Sequence, residues 1–131
     1  LLAAQCAPHL KRLSLELGGN APFLVFEDAD LDDAVERLLA NKFRAAGQTC
    51  VCTNRVLVHR SVVDAFATNL GARVAELVVG PGTEKGVDLG PLIDGRGWDK
   101  VRAHLQDALD LGAKIVSGEV PQARPTETEG W

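Results

Sequence analysis

No apolar run in this chain approaches the roughly 20 residues that a membrane-spanning helix needs. Its first residues show no charged-then-apolar leader pattern, so no membrane role is expected. Basic runs are missing too, as is any interleaving of basic with aromatic residues, which sets nucleic acid aside as a partner. Cysteine is scarce and odd in number: Cys6, Cys50 and Cys52 lack the spacing of a secreted disulfide framework. A reducing, cytoplasmic setting is therefore expected. His9, His59 and His104 are scattered without ligand spacing, and two cysteines alone do not hold a metal, so no metal site is expected. Repeats and low-complexity tracts are absent. The net charge of −4 is too mild to dictate a partner. What is present is ordinary globular composition, and 131 residues suffice for one domain with a core.

The hydrophobic pattern alternates between strand and helix periods. Residues 1–9 read as the end of a helix closed by Pro8 and His9. Leu13, Leu15 and Leu17 alternate with Ser14 and Glu16, which predicts a strand over 11–17 ended by Gly18-Gly19-Asn20. Pro22 to Phe26 is a continuous apolar run, the pattern of a strand buried on both faces. Asp30 can cap a helix carrying Asp32 and Asp33 in its first turn, where the dipole favours negative charge. Leu31, Ala34, Val35, Leu38, Leu39 and Phe43 form its stripe, which stops near Ala46 with Gly47 as terminator. A strand at 55–59 follows, then a helix capped by Ser61 and ended by Gly80-Pro81-Gly82. A Gly-rich loop leads to a helix carrying Trp98 to Leu109, and a last strand is expected at 113–117. Such alternation implies an α/β fold with a largely parallel sheet and flanking helices.

Two places carry chemistry. Cys6, among alanines, reads as a small buried hydrophobe. Cys50 differs, since Gly47-Gln48-Thr49 places it on a polar turn after a helix. Backbone N–H groups there, its own included, can hold an oxyanion. Cys52 packs if the segment is strand-like, with the two sulfurs on opposite sides. On a turn the pair can instead oxidise and switch the thiol off. Arg44, near a helix C-terminus, is either a solvated dipole partner or a bidentate clamp for a substrate carboxylate. Glu16 ends its strand opposite the leucines, and by local physics alone it is a solvated carboxylate.

Leu15-Glu16-Leu17-Gly18-Gly19-Asn20-Ala21-Pro22 resembles the glutamate motif of the aldehyde dehydrogenase superfamily. Phe43 through Asn54, centred on Gly47-Gln48-Thr49-Cys50, resembles its cysteine motif. The order of the motifs and the 34 positions from Glu16 to Cys50 also suit that family. The resemblance runs on through Gly90-Pro91-Leu92-Ile93-Asp94 and Gly112-Ala113, and within the superfamily it is greatest to succinate-semialdehyde dehydrogenases. Glutarate-semialdehyde enzymes share much of it.

The resemblance implies that Cys50 is the nucleophile, Glu16 the base that activates hydrolytic water, and Arg44 a contact for the substrate's distal carboxylate. It places Leu17 and Gly18 near the nicotinamide of NAD or NADP. It also implies a homo-oligomer, dimer or tetramer, for the full-length form. On the same basis residues 1–17 are expected to be the tail of a nucleotide-binding domain and 18–131 the first part of a catalytic domain. Both ends read as cut, and the chain by itself is expected to be inactive. A protein that keeps the fold without the catalysis is the reading from another class.

Overall fold

The computed structural model describes residues 1–123. Its elements are α1 (Leu2–Cys6) followed by a 3₁₀ turn at Ala7–His9, β1 (Ala21–Val25), α2 (Leu31–Lys42) followed by a 3₁₀ turn at Arg44–Gly47, β2 (Thr53–Val58), α3 (Val63–Ala75) and α4 (Gly95–Asp110). β1 and β2 pair in parallel, with Pro22 opposite Arg55 and Val25 opposite Val58. Parallel neighbours need a crossover, and α2 supplies it, giving a β–α–β unit. The register slips once, between Ala21 and Pro22. The His59 N–H donates to the Val25 carbonyl at 2.8 Å and closes the far end of the ladder.

α2 begins as its sequence dictates. The Asp30 carboxylate accepts from the Asp32 and Asp33 N–H groups at 3.1 Å, filling two of the helix's free donors. Val35 and Leu38 point inward and meet Val25 of β1 and Phe66 of α3; these four form the buried cluster. Phe23, Leu31, Val58 and Leu70 pack around it. Polar ties reinforce the α2–α3 contact: Arg73 donates to Glu36 at 2.7 Å, and Asn69 to Asp32 at 3.0 Å. α4 is capped by Asp94, which accepts from the Gly97 N–H at 2.9 Å. That bond, then the Arg96 guanidinium, holds the Asp94 carboxyl below the usual aspartate range. Its contribution is present above the unfolded-chain pKa and is lost only as pH falls through the lower folded value.

Several sequence expectations change. Residues 11–17 form no strand, and Leu13, Leu15 and Leu17 are exposed. The alternation is real, but a strand needs a hydrogen-bonding partner, and among the described residues none lies alongside. Residues 113–117 form no strand either. Ser117 donates to the Gly71 carbonyl at 3.3 Å, so the segment rests on α3. β1 is covered on one face only: Val25 is buried, whereas Leu24 and Phe26 are exposed. Ser61 does not cap α3; its hydroxyl pairs with His59 Nδ1 at 2.8 Å. α2 stops at Lys42 rather than near Ala46. The closing part of the sequence, Arg124 to Trp131, lies outside the described residues. Among the described residues no helix is long and apolar enough to cross a membrane.

Two truncations separate core from cap. Leu38→Ala opens a cavity in the buried cluster and is expected to cost about 2–5 kcal/mol. Asp30→Ala frees two helix N–H groups and is expected to cost about 1 kcal/mol. Denaturant unfolding measures both, and an Asp30 loss equal to the Leu38 loss would contradict this division.

Candidate active site

The backbone between α2 and β2 determines where Cys50 sits. After Lys42 the chain does not coil on. Ala45 (φ 48°, ψ 41°) and Ala46 (φ 54°, ψ 34°) adopt left-handed conformations, and Gly47 follows at φ 75°. For the two alanines this costs roughly 1–2 kcal/mol each. Gly47 meets no such penalty, and a side chain there would come within 3.0 Å of the Lys42 carbonyl. Bonds from Ala46 N–H to Phe43 C=O and from Gln48 N–H to Ala45 C=O, both 3.1 Å, hold the reversal. A second turn follows at once. The Cys52 N–H donates to the Thr49 carbonyl at 3.1 Å, leaving Cys50 and Val51 at the turn's tip.

Cys50 is exposed there, and no acceptor among the described residues takes its N–H. The neighbouring Thr49 hydroxyl is buried and has no partner among them. Cys52 is the opposite case, only 1% exposed. Its thiol lies 3.6 Å from the Lys42 carbonyl and 3.5 Å from the Thr53 carbonyl, with Lys42 Nζ at 3.7 Å. The segment is a turn and not a strand, yet the two sulfurs occupy different surroundings, Cys50 exposed and Cys52 buried.

The glutamate segment reaches this turn through a glycine. A Cβ on Gly19 would lie 2.3 Å from the Cys50 carbonyl oxygen and 3.3 Å from its carbon, so only a hydrogen can face Cys50 there. One residue on, Asn20 Oδ1 accepts a hydrogen bond from Asn54 Nδ2. Glu16 is exposed and three residues before Gly19, a reach of about 11 Å at full extension. Leu17 is exposed, and a Cβ on Gly18 would meet nothing within 4 Å.

Arg44 is not gathered to the thiol. It is exposed and lines a cavity of about 430 Å³ with Phe43, Glu36, Arg73, Glu76 and Asp88, a cavity that neither Cys50 nor Glu16 lines. Among the described residues no group of three or more His, Cys, Asp or Glu could hold a metal.

Three contributors were not singled out from sequence: the left-handed alanines, the Gly19 contact, and Asn41. The last sits in the final turn of α2, and its carboxamide bonds to the loop that carries the cysteines. Its only sequence signal is a poor helix former next to the apolar stripe.

A family model described as "Aldehyde dehydrogenase family" matches residues 1–131. The chain belongs to the aldehyde dehydrogenase family. It is 57% identical over 122 residues to a glutarate-semialdehyde dehydrogenase of Pseudomonas aeruginosa, covering 93% of this chain and 25% of that protein. It is 56% identical over 117 residues to an NADP(+) succinate-semialdehyde dehydrogenase of Escherichia coli K12, covering 89% of this chain and 24% of that one. The crystal structure of a succinate-semialdehyde dehydrogenase from Burkholderia pseudomallei superposes with a TM-score of 0.81 at 59% identity, covering 89% of this chain and 24% of the other. The chain thus spans about a quarter of the length of the curated relatives it matches. Its mixed α/β architecture with a parallel strand pair is part of the aldehyde dehydrogenase fold.

The two glycines of the glutamate motif should respond differently. Gly19→Ala in the full-length protein must displace the Cys50 backbone and is expected to change the iodoacetamide labelling rate of Cys50 by about tenfold or more. Gly18→Ala should leave that rate within about twofold. Peptide mass spectrometry of the labelled protein checks both, and equal responses would contradict the contact.

Proposed function

We propose that the chain carries the nucleophile and the base of an NAD(P)⁺-dependent aldehyde dehydrogenase acting on succinic semialdehyde. The observation that carries this reading is the seating of Gly19 against the Cys50 carbonyl. It brings two motifs from distant parts of the sequence to one place.

Cys50 attacks the aldehyde carbon as thiolate, forming a C–S bond and an oxyanion. No acceptor among the described residues takes the Cys50 N–H, which would donate to that oxyanion. An asparagine that the family resemblance places upstream of Leu1 would complete the pair. Leu17 and Gly18, exposed and without close neighbours at Gly18, would lie against the nicotinamide of NAD(P)⁺, which when bound would supply the hydride acceptor. The product of that transfer is an acyl thioester on Cys50. Glu16 then removes a proton from water, which attacks the thioester, releases the carboxylate and returns the thiol. Splitting oxidation from hydrolysis is why the chemistry needs both a thiol and a carboxylate base.

Arg44 is assigned to the substrate's distal carboxylate. Two of the relatives named above are dehydrogenases of four- and five-carbon semialdehydes that end in a carboxylate, which supports an acidic aldehyde. Glutarate semialdehyde is accordingly the second reading, favoured by the Pseudomonas relative. The cavity that Arg44 lines is rich in carboxylates, so this role requires its side chain to swing toward the thiol. We further assign residues 1–17 to the end of a nucleotide-binding domain and 18–131 to the start of a catalytic domain. The working form is a cytoplasmic homo-oligomer that needs no metal. The buried Cys52 supports a packing role over a disulfide with Cys50.

Steady-state rates of the full-length protein test the assignment. Cys50→Ala is expected to abolish aldehyde-dependent NAD(P)H formation. Arg44→Ala is expected to lower kcat/KM on succinic semialdehyde about 10- to 100-fold, the worth of a charge-assisted hydrogen bond, and to leave an uncharged aldehyde nearly unaffected. Equal losses on both substrates would remove the clamp.

A further inference from the structure

We infer that Asn41 is the positioning residue of the nucleophile turn, an assignment that rests on the reading of Cys50 as the nucleophile. Its carboxamide is used almost to capacity, all of it on the segment Val51 to Thr53 that leads into β2. Oδ1 accepts from the Thr53 N–H and from the Thr53 hydroxyl, both at 2.8 Å. Nδ2 donates to the Val51 carbonyl at 3.2 Å. Thr53 is buried, so both of its donors depend on Asn41 rather than on water. Between Val51 and Thr53, the Cys52 thiol meets the carbonyl of Lys42, the residue after Asn41. The last turn of α2 thus holds three consecutive residues, and the first of them shares a peptide bond with Cys50.

This grip explains why a costly backbone persists on the other side of Cys50. Ala45 and Ala46 are left-handed without being glycine, a state that lasts only where the surroundings impose it. Their two flanks are fixed on the same structure: α2 ends at Lys42, and the loop re-attaches to Asn41. The chain must reverse between these points within eight residues, Phe43 to Cys50. The left-handed turn performs that reversal. Releasing the Asn41 end lets the alanines relax and moves Cys50 away from Gly19. Asn41 lies at neither the thiol nor the surface offered to nucleotide, so it acts through the position of Cys50.

The test uses the full-length protein with Asn41→Ala and the near-isosteric Asn41→Asp. Aspartate keeps an acceptor for Thr53 but cannot donate to Val51, and its second oxygen would face that carbonyl. Both variants are expected to lower kcat about 10- to 100-fold. KM for aldehyde and for nucleotide should stay within about twofold. Labelling of Cys50 by iodoacetamide, followed peptide by peptide and normalised to folded protein, should slow about tenfold. Wild-type kcat and labelling in Asn41→Asp would overturn the inference. So would a loss of activity matched by loss of folded protein, with Cys50 in the folded fraction labelling normally. Because labelling needs no turnover, a failure here is distinct from a failure of the proposed activity, which Cys50→Ala decides.

Discussion

Parallel pairing of β1 with β2 is the constraint on which the rest of the structure depends. Two parallel neighbours cannot be joined by a tight turn, so the chain must leave the sheet, run back as a helix and re-enter. That return is α2, buried through Val35 and Leu38 against Val25. The segments entering the two strands therefore lie side by side at the same edge. Gly18-Gly19-Asn20 enters β1, and Thr49-Cys50-Val51-Cys52 enters β2. The juxtaposition of Gly19 with Cys50 is a consequence of strand pairing, and the Asn20–Asn54 bond reinforces it. Cys50 placed this way sits at the entry to the strand pair while remaining exposed.

The local energetics follow a pattern common at functional sites. Stable parts surround an unfavourable one: a capped helix and a strand ladder on either side of two left-handed alanines. Within the α2–β2 connection the strain falls on Ala45 and Ala46. The groups that resist its relaxation are satisfied hydrogen bonds between α2 and residues 51–53. A buried Thr49 hydroxyl next to Cys50, without a partner among the described residues, is a further departure from what a structural turn would tolerate.

The sequence made α2 legible because its signals are local and agree with one another: an Asp30 cap, acidic residues in the first turn and an apolar stripe. The strand expected at residues 22–26 forms at 21–25 from a continuous apolar run, and the one expected at 55–59 forms at 53–58 around Val56-Leu57-Val58. The expected strands at 11–17 and 113–117 failed for one reason, that pairing is a property of two segments and periodicity describes only one. Left-handed alanines carry no sequence signature, since nothing in Ala favours φ > 0, and only Gly47 hinted at a reversal there. Cys50 and Glu16 were singled out as a pair only through family resemblance, because local physics left each with an ordinary alternative. Asn41 was hidden because its partners lie 10 and 12 positions away, across a turn whose path the sequence does not reveal.

Glu16 and Cys50 as separate agents of hydrolysis and nucleophilic attack form the centre of the account. The most direct test is a single-turnover experiment on the full-length Glu16→Gln protein with NAD(P)⁺ and succinic semialdehyde, followed by NAD(P)H absorbance and peptide mass spectrometry. The account predicts a burst of about one NAD(P)H per site, then near-arrest, with a succinyl thioester held on Cys50. Continued turnover at the wild-type rate, or an acyl group on any residue other than Cys50, would contradict it.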